Sequence, residues 1–212
     1  MSPELVLAAC GISLGSYLLG SVPFGLLLAR GLAGVDVRAG GSGNIGATNV
    51  ARLAGKGLGL LTLVLDAAKG AAAVLVAGLL VAPAVTGEHA GLDLIQAGWW
   101  PAALAGASAL VGHCFPIWLR FRGGKGAATA LGVLLVVSPW SALAGGLVFA
   151  LLVLALRISS LGSLAAVIVV VPTAFLTAGA VNGWLVLFMG VLVVARHHEN
   201  IRRLLSGSER RI

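Results

Sequence analysis

Apolar runs of membrane-crossing length recur from one end of this chain to the other, with no polar stretch between them long enough for a soluble domain. A helix needs ~20 apolar residues to cross the hydrocarbon of a bilayer. Most of the runs at 4–29, 58–83, 99–119, 127–138, 140–156, 161–178 and 183–195 are near that length. They predict an all-α integral membrane protein with seven transmembrane helices, residues 1–212 forming a single membrane-embedded domain. Apolar residues make up 59% of the chain and charged ones 10%, too little polar surface to cover a water-soluble globule. The early "LVLAAC" lacks the basic flank of a cleaved leader and carries Glu4, so it reads as the first crossing. Cys10 and Cys114 have neither metal-ligand nor disulfide-framework spacing and read as buried small hydrophobes.

Two of the seven runs, 127–138 and 183–195, are short, so their ends must include polar residues. Polar or irregular backbone at membrane depth survives only where protein or a water-filled cavity surrounds it. The expectation is a polar active-site bowl facing one side of the membrane. Asp66 and Lys69, at i and i+3 within the second run, are expected to face the bundle, either as a mutual pair or with a part in that site.

Charge fixes the side. Basic residues gather at Arg30, Arg38, Arg52 and Lys56, at Arg120, Arg122 and Lys125, at Arg157, and at Arg196, Arg202, Arg203, Arg210 and Arg211, each cluster following an odd-numbered crossing. The alternate connections, "TGEHAGLD", "SPW" and "AGAVNG", carry acid or no charge. The excess of basic residues on one side makes that side cytoplasmic, with the N-terminus outside and the C-terminus inside. Orientation alone explains a net charge of +7 but not the glycines that accompany it.

In "GGSGNIGATNVAR" small residues let successive backbone N–H groups converge on one point, and "GGKG" at 123–126 repeats the device around a lysine. Helices restarting near Ile45 and Ala127 would add free N-terminal N–H groups and dipoles to Arg52 and Lys125. Both loops read as phosphate cradles. The second is not a nucleotide-hydrolysing P-loop, because Leu119 and Gly126 stand where glycine and Ser/Thr are required. The one G-x-S-x-G match, Gly11 to Gly15, lies within the first apolar run and not on a strand-to-helix elbow, and the histidines lack zinc-site partners, which disfavours a serine hydrolase or a metalloenzyme. No cofactor, metal or nucleic-acid partner is expected.

The last cluster, "RHHENIRRLLSG", divides in two. Ile201 to Leu205, with Arg202 and Arg203, reads as an amphipathic tail on acidic lipid headgroups. His197 and Asn200, three apart, share a helix face that can turn into the bowl.

"GSGNIGATNVAR", "GHCFPIWLRFRGGKGAAT" and "RHHENIRRLLSG", in this order and with this hydropathy, closely resemble the bacterial membrane glycerol-3-phosphate acyltransferases that use acyl phosphate, the PlsY family. The resemblance extends to "GSVPFG", "LDAAKG" and "RISSLGS" and so covers nearly the whole chain. It implies a seven-helix inner-membrane enzyme that acylates position 1 of glycerol 3-phosphate, giving lysophosphatidic acid, the first step of bacterial phospholipid synthesis. The donor it implies is acyl phosphate, supplied by a soluble phosphate acyltransferase. Consistently, the chain has no H-x-x-x-x-D signature of acyltransferases that use thioester donors. By motif, the resemblance implies a site lined by Ser42, Gly43, Asn44, Thr48, Asn49 and Arg52, by Gly123, Gly124, Lys125 and Gly126, by Ser163, and by His197 and Asn200. Ser159 and Ser160 are alternatives to Ser163. Ile45 and His198 depart from the commonest family forms, which have Pro and Arg there; neither carries an assigned role.

On this reading the glycerol hydroxyl attacks the acyl carbonyl directly, with no acyl-enzyme, while Arg52 and Lys125 steady the oxyanion and the phosphates. The proton goes to His197 or to a phosphate oxygen. The preferred role for His197 is a hydrogen bond donated to phosphate, because no carboxylate has a sequence-evident position to orient it as a base. A transporter would need an inverted repeat with paired broken helices, which the sequence lacks. A lipid-headgroup binder would need neither the glycine loops nor the histidine.

Overall fold

A computed structural model describes residues 3–81 and 92–212, and among them all regular structure is helical. The elements are α1 (Pro3–Ser21), α2 (Phe24–Ala33), α3 (Ala47–Ala54), α4 (Lys56–Val76, extended by a π-helical turn Ala77–Val81), α5 (Leu92–Gln96), α6 (Trp100–Cys114), α7 (Ala127–Val137), α8 (Pro139–Leu156), α9 (Ser159–Thr177), α10 (Gly179–Arg196) and α11 (His198–Leu205). Among the described residues six helical stretches are long and apolar enough to cross a membrane, the first being α1 and α2 taken together. Their outer faces carry bare aliphatic side chains, with Leu154 and Leu176 at least 80% exposed, which only a lipid surround tolerates. This is a multi-pass integral membrane protein.

The first predicted span, 4–29, is not one helix. Pro23 has no N–H to give and disfavours the α conformation at Val22, so the helix breaks and restarts at Phe24. The break frees the Val22 carbonyl, which accepts a hydrogen bond from Lys69 Nζ at 2.8 Å. Lys69 also meets Asp66 Oδ1 at 2.8 Å and lies over the Phe24 ring. Asp66 and Lys69 therefore make the mutual pair, and neither lines the polar cavity described below. His113 Nδ1 stands 3.6 Å from the same carboxylate, too far for a hydrogen bond.

The seventh predicted span also needs correction. It was expected to be short, at 183–195, but α10 runs Gly179–Arg196 over 18 residues. Asn182, which reads as a loop residue, sits inside the helix because its buried amide donates to the carbonyls of Ile95, Gln96 and Val137. The fourth run is short as expected: α7 has 11 residues, ~16 Å of helix. Where α7 crosses α4 the backbones touch. A Cβ on Gly70 would overlap the Thr129 carbonyl, and one on Gly132 the Ala67 carbonyl. Such close approach is how helices pack where no water drives them together. The crossing sets the position of the α7 N-terminus.

The basic segments meet at one end of the bundle. Arg210 donates to the Gly41 carbonyl, Ile212 N to Arg157 O, Arg196 to the carbonyls of Gly123 and Gly124, and Lys125 to Asn200. The alternate connection "TGEHAGLD" lies almost wholly outside the described residues.

Candidate active site

The first loop is organised by one buried amide. Asn49 Oδ1 accepts from Ser42 N at 2.9 Å, and Nδ2 donates to the carbonyls of Val37, Gly40 and Asn44. Its hydrogen-bonding capacity is used inside the loop, so Asn49 shapes the cradle even though it borders the cavity. Gly43, at φ +66°, forms the turn with its N–H on the Gly40 carbonyl and stays off the cavity wall. Ser42, Asn44, Thr48 and Arg52 line the cavity, and α3 begins there with its free N–H groups at Ala47 and Thr48. Asp36 gathers Arg30 and Arg38 at the rim. Hydrogen bonds from Arg38, more than that from Arg30, hold its carboxyl well below the usual range.

The second loop differs from expectation. Gly123 and Gly124 give their N–H groups to the carbonyls of Cys114 and His113, and a Cβ on Gly124 would strike the His113 ring. Arg196 binds both glycine carbonyls and packs on the Phe115 ring at 5.1 Å. The two glycines are thus clamped into the scaffold, off the cavity wall. The exposed side is Lys125, Gly126 and the first turn of α7 at Ala127 and Ala128. Gly126, at φ +88°, lets the chain enter α7 where any Cβ would hit Leu110.

Lys125 Nζ donates to Asn200 Oδ1 at 2.5 Å. Burial and then the charge of Arg203 push its pKa down, opposed by Glu209. Ser159, Ser160 and Ser163 all line the cavity; Ser160 donates to Glu209 and Ser163 to the Ser159 carbonyl. His197 and Asn200 are both buried on the wall, as their spacing predicts. His197 Nδ1 meets the Val193 carbonyl at 2.7 Å. A carbonyl only accepts, so Nδ1 carries the proton and Nε2 keeps a lone pair for the cavity. Burial, and then the nearby Lys125 charge, push the imidazole down to about 4 despite that hydrogen bond. With Nδ1–H held by the backbone, His197 offers Nε2 to the cavity as an acceptor when the ring is neutral and as a donor when it is protonated.

Sequence reading missed Arg203, Glu209 and Arg210, which enter the cavity wall because Gly207, at φ +69°, turns the chain back after α11. Arg203, expected on lipid headgroups, binds Glu209 Oε2 at 2.8 Å, whereas Arg202 remains exposed. The sequence signal was slight: a helix, a glycine turn, then an acid among basic residues. The completed cavity, about 140 Å³, sets Arg52, Lys125, Arg203 and Arg210 against the single carboxylate Glu209. It adjoins an apolar groove of about 300 Å³ running between α7, α8, α9 and α10. Leu63, Ala127, Ala128, Phe149 and Ser163 belong to both. Among the described residues no cluster of His, Cys, Asp and Glu could hold a metal.

The sequence profile of a family described as glycerol-3-phosphate acyltransferase matches residues 10–207. The chain belongs to that family. A glycerol-3-phosphate acyltransferase of Anaeromyxobacter sp. strain Fw109-5 is 48% identical over 98% of this chain and 96% of its own. One of Myxococcus xanthus is 50% identical over 92% and 95%. The fold matches a crystal structure of PlsY, an integral membrane glycerol 3-phosphate acyltransferase, in its glycerol 3-phosphate form, with TM-score 0.83, 40% identity and coverage of 96% and 95%. The lysophosphatidic acid form of PlsY matches with TM-score 0.82 at 39% identity. In this member of the family, the loops that carry the resemblance are the ones that build the cavity.

Proposed function

We propose that the chain is an acyl-phosphate-dependent glycerol-3-phosphate 1-O-acyltransferase of the bacterial inner membrane, acting as a single domain of seven crossings whose cavity opens to the cytoplasm. The observation that carries this reading is the junction of a cation-rich polar cavity with an apolar groove. Two phosphorylated substrates, one bearing an acyl chain, need both halves at once. Solved PlsY structures with glycerol 3-phosphate and with lysophosphatidic acid support the acceptor and the product. The acyl chain lies in the groove, its carbonyl at the junction near Ser163, and the two phosphates lie at the N-termini of α3 and α7 with Arg52 and Lys125.

Transfer is direct. The glycerol 1-hydroxyl attacks the acyl carbonyl, the C–O bond to phosphate breaks, and Lys125 and Arg52 stabilise the oxyanion and the departing charge. His197 Nε2 accepts a hydrogen bond from the attacking hydroxyl and orients it. The proton ends on the released phosphate, because the oxygen freed by breaking the acyl bond is far more basic than an imidazole at about 4. The products are 1-acyl-glycerol 3-phosphate and hydrogen phosphate, and atoms and charge balance.

Purified protein in detergent, given glycerol 3-phosphate with acyl phosphate, with acyl-CoA or with no donor, should make lysophosphatidic acid and phosphate only in the first case. Equal turnover with acyl-CoA would overturn the donor assignment. For orientation, a cysteine probe at Gly207 should resist impermeant label until cells are broken, whereas one at Glu88, outside the described residues, should react in intact cells. The reverse pattern would put the cavity on the wrong side for a cytoplasmic donor.

A further inference from the structure

The one carboxylate of the cavity has no role in the reaction above. Glu209 lies outside every helix, yet its side chain is only 8% exposed and both of its oxygens are engaged. Oε1 accepts from Ser160 Oγ at 2.8 Å and from Asn200 Nδ2 at 2.6 Å, and Oε2 accepts from Arg203 Nε at 2.8 Å. The other end of the Asn200 amide, Oδ1, holds Lys125 Nζ.

An asparagine amide can turn over at little cost in shape, exchanging its donor and acceptor ends. Here the exchange would set NH₂ against an ammonium and oxygen against a carboxylate, losing both bonds and gaining two repulsions. The amide is fixed because a cation stands on one side and an anion on the other.

We propose that Glu209 is a positioning residue of the site: it fixes the Asn200 amide so that Oδ1 holds Lys125 where substrate phosphate meets it. Glu209 touches neither substrate in this arrangement and acts through Asn200. The segment after Gly207 is anchored for the task at two further points, by Arg210 on the Gly41 carbonyl and by Ile212 N on the Arg157 carbonyl. Burial raises the Glu209 carboxyl, but its hydrogen bonds with Arg203, Asn200 and Ser160 outweigh that and keep it ionised at neutral pH. The proposal rests on reading Lys125 as a substrate cation.

A double-mutant cycle tests it, using the full chain in detergent with kcat, KM and melting temperature for each variant. Glu209→Gln should lower kcat/KM ~10-fold, since a charge-assisted bond is lost, which is more than the fall in melting temperature from the lost Arg203 pair accounts for. Asn200→Ala should cost at least as much, and Glu209→Gln added to it should cost nothing further, because no amide is left to orient. Multiplying losses, or a loss that tracks the melting temperature, would overturn the proposal.

A second pair serves if Glu209→Gln does not fold alone. Asn200→Asp sets a carboxylate against Glu209, and adding Glu209→Gln should restore activity several-fold by supplying a donor there. A double variant no better than Asn200→Asp would also overturn it. Wild-type protein inactive with acyl phosphate sinks the donor reading itself, whereas an active wild type with multiplying losses sinks only the role of Glu209.

Discussion

Lys69 and Lys125 are both held in the protein with a carboxylate nearby, and they are provided for in opposite ways. Lys69 Nζ has Asp66 at 2.8 Å, the Val22 carbonyl at 2.8 Å and the Phe24 ring beneath it, and its side chain is 2% exposed. The protein thus gives its ammonium a carbonyl, a carboxylate and an aromatic face. Lys125 has one protein hydrogen bond, to Asn200, and its carboxylate, Glu209, lies a whole amide away. Its remaining donors face a cavity with three other cations. A lysine surrounded in this way by partners from its own chain holds helices together. A lysine left incomplete among like charges is able to take an anion, which is the role proposed for Lys125.

The sharpest way to break this contrast is to remove one partner of the Lys69 set. Lys69→Ala leaves Asp66 charged inside the bundle, and breaking a buried pair costs ~3–5 kcal/mol. Thermal unfolding in detergent should register a large drop, or no folded protein should be recovered. Replacing both, as Asp66→Leu with Lys69→Met, should restore much of the loss, because no charge then remains uncompensated. A stable, inactive Lys69→Ala would place the pair in catalysis instead.

The next effect is expected at the incomplete lysine and in the opposite observable. Lys125→Ala and Arg52→Ala should each lower kcat/KM at least ~10-fold, the equivalent of one lost charge-assisted bond at ~1.5–3 kcal/mol. Melting temperatures should stay near wild type, since Lys125 has a single bond within the protein and Arg52 only a long one, 3.4 Å, to the Arg211 carbonyl. Near-normal turnover in either variant would remove that residue from the site. A melting temperature that falls as far as in Lys69→Ala would erase the contrast between the two lysines.

The same contrast marks what was legible in the sequence. Apolar run length gave the membrane class and the short α7, and the glycine loops gave helix starts within two residues of those observed at Ala47 and Ala127. His197 and Asn200 were legible because three-residue spacing on a helix is a local property. What escaped depends on partners far away in the chain. Pro23 breaks a span whose apolar residues continue on both sides, and the break matters because the Val22 carbonyl it frees is taken by Lys69, 47 residues on from Val22. Asn182 looks like a loop residue until carbonyls 45 and 87 residues distant are seen to take its amide. The amides of Gly123 and Gly124 look free in "GGKG", but the end of α6 folds beneath them. Glu209 joins the site only after the Gly207 turn brings it back beside Ser160 and Asn200.

The smallest effect is expected at His197, where the protein's provision is half complete: one nitrogen is held by the Val193 carbonyl and the other is left open. If Nε2 only accepts a hydrogen bond from the attacking hydroxyl, His197→Ala should cost ~3–10-fold, the usual range for a neutral bond. His197→Gln, which keeps an acceptor of similar reach, should recover most of that. Burial and Lys125 hold the imidazole at about 4 against an ordinary 6.5, so the wild-type rate should show no histidine limb between pH 6 and 8, and the Gln variant should share its profile. The same shift makes a separate demand on stability. Between about 4 and 6.5 the unfolded chain binds more protons at this position than the folded one. The contribution of His197 is therefore complete above the unfolded value and is lost as pH falls through the folded one. His197→Gln should accordingly flatten the acid side of the stability curve while leaving the rate at neutral pH nearly intact. A Gln variant as slow as Ala, with the wild type losing rate as a neutral-range group protonates, would make His197 a general base and move the proton off the phosphate.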